Sequence, residues 1–290
     1  MNIIIFLLVF FSVLFIYIHV YYHFKTNNDL EILEINNISK ERLEEICDLR
    51  QPLTMKIDND IFKEFYIKNL LDNYSGFDIK IRNIKNLDDS SELFLPLTLT
   101  DANKLMIEDN EGQYISENNS DFLLETSMSK NISVNDGFFR PYMLSNIYYD
   151  YIFGSKNSFT PLRYNLNYRN YYLLLEGKIK IKMCPPKNEK YLYCNKDYDN
   201  FEFRSPLNVW NIQEEYKTDY NKIKFLEVDL IPGNIIYIPA YWWYSIKIED
   251  SNTSLLSFKY RTYMNNIAIL PNIILKIMQK QNIKHKIIDN

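Results

Sequence analysis

Residues 177–183, GKIKIKM, alternate without a break, with Ile179, Ile181 and Met183 on one side and Lys178, Lys180 and Lys182 on the other. A period of two sets one row on a core and the other in water, the pattern of a half-buried β-strand. Similar runs recur at residues 171–175, 223–228, 235–238, 245–248 and 255–260, with turns between them. Several short strands separated by turns point to a sandwich or a jelly-roll barrel. Hydrophobic residues make up 47% of the 290-residue chain, enough for a packed core. Only six glycines are present, and none forms a phosphate-cradling or dinucleotide-binding pattern.

The chain before this strand-rich half reads differently. Ser39 caps a helix that runs to about Leu49, with Glu41, Glu44 and Glu45 early and Arg50 late, as the helix dipole favours. Residues 50–57 alternate as a strand. Asp60 is the expected cap of a following helix in which Ile61, Phe65, Ile67, Leu70 and Leu71 share a face. Residues 77–119 mix short strands with polar loops, and 119–130 read as one short helix. At the other end, residues 271–281 form an amphipathic helix with the stripe Ile273, Ile274, Ile277 and Met278. That stripe is expected to pack within the chain, with a homodimer contact as the alternative.

Residues 3–22, IIIFLLVFFSVLFIYIHVYY, contain no Asp, Glu, Lys or Arg. A helix of that length spans about 30 Å, the thickness of a bilayer's hydrocarbon core. Tyr17, Tyr21, Tyr22 and Phe24 stand where an interfacial aromatic belt would lie. A basic leading region and a small-residue cleavage site are both missing, which argues against a secretory signal. The expectation is a single-pass membrane anchor. Lys25, on its C-terminal side, favours a cytoplasmic main domain. The organisation is thus an anchor (1–25), a linker (26–34), a main domain (35–262) and a helical tail (263–290). A net charge of −4 gives no electrostatic reason to expect nucleic acid. Cys47, Cys184 and Cys194 form no even disulfide framework and no Cys-x-x-Cys pair, which favours a reducing compartment.

Two segments, FTPLRYNLNYRNYYLLLEGKIKIKMCPP (159–186) and PGNIIYIPAYWWYSI (232–246), together resemble the JmjC/cupin-like (cupin_8-type) 2-oxoglutarate oxygenase family. SPLNVW (205–210) and SKERLEEICDLRQPL (39–53) fit the same pattern, so the resemblance covers residues 35–262. It implies a mainly β fold with flanking helices: a double-stranded β-helix, or jelly-roll, barrel preceded here by the transmembrane helix. The composition and the altered barrel also resemble cupin-like proteins of large DNA viruses.

Enzymes of this family hold Fe(II) through two histidines and one carboxylate, leaving positions for 2-oxoglutarate and oxygen. Position by position, the first histidine is Arg163 here, the carboxylate is Asn165 and the second histidine is Tyr244. Arginine is a permanent cation with no lone pair to lend, asparagine offers a neutral carbonyl, and tyrosine would have to lose a proton of pKa near 10. The chain has three histidines, His19, His23 and His285, so none lies between Lys25 and Lys284. No shift of the alignment builds a two-histidine centre in the barrel from this chain. Thr160, Asn170, Ile179 and Trp243 fall at positions that would line the pocket, Ile179 replacing a cofactor-gripping lysine of one branch. Residues 108–112, EDNEG, lack the alternating ligands of a calcium loop, and the Asp88-Asp89 pair reads as solvated surface. No metal or cofactor is expected.

Two readings of Arg163 stay open on the sequence. It pairs with Tyr244 and Asn165 in an internal network that fills the old site, or it builds an anion or carbonyl pocket with Asn165, Tyr244 and Trp243. Three function classes follow: a membrane-anchored pseudo-oxygenase that binds a protein or a small anion, an atypical oxygenase completed by a partner's ligands, and a structural membrane protein of a virion.

Overall fold

A computed structural model describes residues 2–85 and 94–286; the Asp88-Asp89 pair lies outside them. In chain order the strands are β1 (Leu33–Glu34), β2 (Leu53–Lys56), β3 (Asp78–Asn83), β4 (Leu95–Thr98), β5 (Tyr114–Ser116), β6 (Leu144–Gly154), β7 (Arg163–Tyr164), β8 (Arg169–Glu176), β9 (Ile179–Cys184), β10 (Asn195–Asp197), β11 (Glu202–Arg204), β12 (Leu226–Leu230), β13 (Asn234–Tyr237), β14 (Trp243–Ile248) and β15 (Thr253–Thr262). One sheet has nine strands in the order β1-β2-β13-β8-β15-β6-β5-β3-β4, the other six in the order β10-β11-β7-β14-β9-β12. Every pairing except β1 with β2 is antiparallel. The repeated crossovers between the two sheets give the jelly-roll arrangement.

The alternation read from the sequence decides how the sheets meet. Ile179, Ile181 and Met183 of β9 point inward with Tyr244, Ile246 and Ile248 of β14, against Tyr172, Leu174, Ile236 and Leu255 of the larger sheet. The lysines between them stay half-exposed over Glu227, Asp229 and Glu249. On its other face the larger sheet is covered by helices, with Leu43, Ile46, Leu70, Leu99, Phe122 and Ile132 packed on Tyr171, Leu173, Tyr237 and Phe258. A third cluster, with Tyr164, Phe203, Leu207 and Trp243, lies on the far side of the smaller sheet.

The helices are α1 (Asn2–Phe24), α2 (Lys40–Asp48), α3 (Ile67–Tyr74), α4 (Leu99–Glu108), α5 (Ser120–Glu125), α6 (Met128–Asn135), α7 (Lys217–Tyr220), α8 (Tyr263–Ala268) and α9 (Leu270–Lys286). Ser39 caps α2 as expected, its hydroxyl accepting from the Arg42 N–H. The next expected helix differs: Asp58, not Asp60, caps a 3₁₀ segment (Asn59–Phe65), and extended backbone at Tyr66 separates it from α3. The segment is kinked at Phe62 (φ −113°), so each 3₁₀ turn within it is short. The single helix expected over 119–130 is two, α5 and α6, broken at Ser127 with φ +60°. In α9, Ile273 packs on the domain while Ile274, Ile277 and Met278 are exposed.

Helix α1 is long and apolar enough to cross a membrane. Its residues 3–18 are exposed, whereas its end is docked on the domain. The His23 ring lies 5.0 Å from that of Tyr168, and the Arg50 guanidinium sits over Tyr22 at 5.4 Å and Tyr168 at 4.5 Å. The main domain is thereby held close against the end of α1.

Candidate functional site

The pairing of β7 with β14 sets Arg163 directly opposite Tyr244. Cross-strand partners share a face, so both side chains enter the space between the sheets. Asn165, two residues on, joins them. Its Nδ2 donates to the Tyr244 hydroxyl at 2.9 Å and to the Tyr172 hydroxyl at 3.2 Å, and the two phenols meet at 2.5 Å. The three positions singled out in the sequence therefore come together, with Tyr172 of β8 as a fourth member.

Arg163 makes its charged contacts elsewhere. Its Nη1 donates to Glu202 at 2.8 Å and its Nη2 to Glu117 at 2.5 Å. Arg82 completes the group, donating to Glu117 at 2.7 Å and in fork geometry to Glu202 at 3.0 Å and 3.0 Å. Two guanidiniums and two carboxylates thus alternate in a ring, all four buried. Arg82 comes from β3 of the larger sheet and Glu117 from the residue after its β5; Arg163 and Glu202 come from β7 and β11 of the smaller one. The cluster ties the two sheets together at the end of the inter-sheet space.

This corrects the expected pairing of Arg163 with Tyr244 and Asn165. The guanidinium is only 6.0 Å from the Tyr244 ring centre. A buried cation needs opposite charge, which neutral phenol and amide groups do not supply. The reading of Arg163 as an open anion fork fails on the same contacts. Trp243 also leaves the expected wall: the period of two turns it to the opposite face from Tyr244, where its ring meets Tyr164 edge-on at 4.8 Å.

The electrostatics follow from these contacts. Burial would raise the carboxyl of Glu202, but Arg82 and Arg163 outweigh it and hold the group down to about 2. Against the same burial, Arg163 and Arg82 also keep Glu117 below its ordinary value. Burial pushes the phenols of Tyr244 and Tyr172 up, so both are neutral hydrogen-bonding groups. As a ligand set for Fe(II) these positions do not fit. One is a cation saturated by two carboxylates, one an amide donating to phenols, one a phenol held protonated. Among the described residues no three His, Cys, Asp or Glu side chains are placed to hold a metal ion.

The remaining positions divide. Thr160 Oγ1 accepts from the Ile246 N–H at 2.9 Å, and Thr160 borders a cleft of about 440 Å³ with Phe159, Trp210 and Ser245. Asn170 pins the β7–β8 loop by donating to the carbonyls of Asn167 at 3.1 Å and Ile238 at 3.2 Å. Ile179 is fully buried in the inter-sheet core. Of Arg163, Asn165 and Tyr244, only Asn165 reaches a second cavity, of about 370 Å³, at the mouth of the inter-sheet space. Arg82, Glu117, Glu202 and Tyr172 were not legible as site residues. For Glu202 a signal existed: FEFR (201–204) alternates aromatic with charged, placing Glu202 and Arg204 on one face.

A sequence profile of the family described as "Cupin-like domain" matches residues 80–266, more than half of the chain. The chain is 25% identical over 101 residues to HSPB1-associated protein 1 of Homo sapiens and of Bos taurus, covering 34% of this chain and 21% of each relative. It is 28% identical over 102 residues to JmjC domain-containing protein D of Dictyostelium discoideum, covering 35% of this chain and 22% of that protein. The chain therefore matches about a fifth of the length of these curated relatives. The profile match, the two crossed antiparallel sheets and the placement of residues 163, 165 and 244 at one end of the space between them agree: this chain belongs to the cupin-like domain family.

Proposed function

We propose that this protein is a membrane-anchored binding module built on a cupin-like domain from which iron-dependent oxygenase chemistry has been lost. The observation that carries the reading is the Arg82–Glu117–Arg163–Glu202 ring. It sets a charge-balanced, buried network where the family resemblance expects a metal ligand. Converting that corner to a metal site would leave two buried carboxylates sharing one guanidinium, a costly arrangement. The filled site favours loss of chemistry over an oxygenase whose missing ligands come from a partner, because Arg163 already occupies the position such ligands would need.

Helix α1 serves as the single membrane span, with Lys25 favouring a cytoplasmic main domain. A net charge of −4 supports a protein or small-molecule partner over nucleic acid. The test is 2-oxoglutarate consumption by the full chain in detergent micelles, supplied with Fe(II) and oxygen. No consumption above a protein-free control is expected, and catalytic consumption would refute the reading.

A further inference from the structure

Helix α9 carries two sets of residues at helical spacing, and the domain uses one of them. On the inner side Ile273 joins the apolar cluster beside the smaller sheet, together with Ile269 just before the helix. On the same side Asn272 accepts from the Tyr198 hydroxyl at 3.4 Å, and the Lys276 ammonium lies 4.8 Å from the Phe201 ring. Leu270, Ile274, Ile277 and Met278 form the second set, spaced i, i+4, i+7 and i+8 as one helix face requires. Each of the four is 47–56% exposed, and Tyr263 and Ile267 of the adjoining α8 are exposed as well. Single exposed apolar residues are ordinary on a protein surface, but a contiguous stripe marks a contact.

Charge narrows what the stripe meets. Residues 263–286 contain no Asp or Glu, in a chain whose net charge is −4. Apart from Lys276, which faces the domain, α9 carries Lys280, Lys284 and Lys286 in its second half. An apolar stripe on a helix whose charges are all cationic is the composition of a helix lying in a bilayer interface. A second copy of α9 is a poorer occupant, because a symmetric contact brings lysines of like sign together.

The position of the stripe points to the same occupant. Helix α8 packs against α1. Thr262, which caps α8 by accepting from the Asn265 N–H, has its hydroxyl 3.5 Å from His23 Nε2. Ile273 shares its cluster with Tyr241, whose ring centre lies 6.3 Å from that of Phe24. The whole of α8 and the first turn of α9 thus lie at the foot of α1, where the exposed helix passes into the buried His23. A bilayer around residues 3–18 has its surface at that level.

We infer that α8 and α9 make a second membrane contact, with Leu270, Ile274, Ile277 and Met278 seated in the interface of an anionic bilayer beside the span. Such a contact is reversible and does not replace the span. It fixes the orientation of the domain against the membrane, which a single helix followed by a linker does not. This rests on the reading of α1 as the anchor, and separate variants test the two.

The full chain is reconstituted into vesicles of phosphatidylcholine and phosphatidylserine in equal parts, the phosphatidylcholine being dibrominated near the headgroup end of its acyl chains. Tryptophan emission is compared with that in unbrominated vesicles. Ile277→Trp and Met278→Trp report on the stripe, Tyr17→Trp on the span, and Ile107→Trp is the distant control. All four positions are exposed, so the substitutions leave the core packing intact. Ile107 lies beside Thr253, at the opposite end of β15 from Thr262 and about 30 Å from it along the strand. A bound face sits about 5–10 Å into the interface, within reach of the bromines. The emission that Ile277→Trp or Met278→Trp adds to that of the natural protein should therefore fall by about half or more. That added by Ile107→Trp should stay unchanged, and quenching at the stripe should weaken when phosphatidylcholine replaces phosphatidylserine. Quenching of Tyr17→Trp with none of Ile277→Trp or Met278→Trp, as a stripe covered by a second copy would give, overturns the inference and leaves the anchor standing. Quenching of none of the variants overturns the anchor as well. Equal quenching of Ile107→Trp and Ile277→Trp, or quenching indifferent to phosphatidylserine, would also overturn the inference.

Discussion

Replacing Arg163 by methionine should cost far more than losing its packing. In the ring, Arg163 contacts Glu202 at 2.8 Å and Glu117 at 2.5 Å, and all three side chains are buried. Each charge pair with centres about 4 Å apart contributes about 4 kcal/mol at an effective dielectric of about 20, before desolvation is subtracted. Arg163→Met leaves two carboxylates facing Arg82, with Arg204 at 3.7 Å from Glu202 as a longer contact. Breaking one member out of a buried ionic group typically costs about 3–5 kcal/mol. Glu117→Gln should cost a similar amount, leaving two guanidiniums around Glu202. The double variant Arg163→Met/Glu117→Gln differs in kind, because it keeps the forked Arg82–Glu202 pair, at 3.0 Å and 3.0 Å, as a neutral unit. Its cost should fall below the sum of the single costs by about 2 kcal/mol or more. Urea unfolding of the four proteins in micelles measures the cycle. Single costs that add to within about 0.5 kcal/mol would refute the coupling on which the filled-site reading depends.

The same ring sets an acid limit. The folded carboxyl of Glu202 titrates near 2 against an ordinary 4.5, so its contribution is complete above the ordinary range and vanishes as pH falls through about 2; Arg163→Met should move the acid-unfolding midpoint upward, as followed by tryptophan fluorescence. Burial lifts the Cys184 thiol to about 12, and Cys47 is likewise buried, while Cys194 is half-exposed. A thiol reagent on the native protein should therefore modify Cys194 first and Cys184 only on unfolding; equal rates would contradict the packing. Residues 3–18 of α1 are exposed to their surroundings whereas His23 is buried on the domain. Deleting residues 2–18 should accordingly release the protein from membranes at alkaline pH with a stability change of about 0.5 kcal/mol or less, and retention on the membrane would disprove the anchor.

The strand whose register and faces are clearest in the sequence is one with a wet face. In β9 the lysines mark water and the isoleucines mark the inter-sheet core, so register and face both follow from the pattern. Strands β8 and β15, buried on most positions, were found from their apolar runs, whereas in β6 the buried stretch 150–154 begins with Asp150 and ends with Gly154, which interrupts such a run. At the site, Arg163, Asn165 and Tyr244 were placed by motif spacing, and the β7–β14 register brings them together. Their partners were not legible. Glu117 follows a three-residue strand and Arg82 lies on β3, a strand distant in sequence, so their meeting with Arg163 depends on how two sheets close. Trp243 shows the converse: its place in a motif suggested the pocket, while simple alternation from Tyr244 assigns it to the other face. The lining of the mouth cavity was hidden for the same reason as Glu117, since β15 and α9 approach Asn165 only in the folded chain.

The most direct test of the central claim is the iron content of the full chain after anaerobic loading with Fe(II) and removal of free metal. It should be compared with a folded variant carrying Arg163→His, Asn165→Asp and Tyr244→His. No retained iron is expected in the natural protein and close to one equivalent in the triple variant, whose side chains restore two imidazoles and a carboxylate at positions that already converge. One equivalent of iron in the natural protein, or none in the folded triple variant, would contradict the claim.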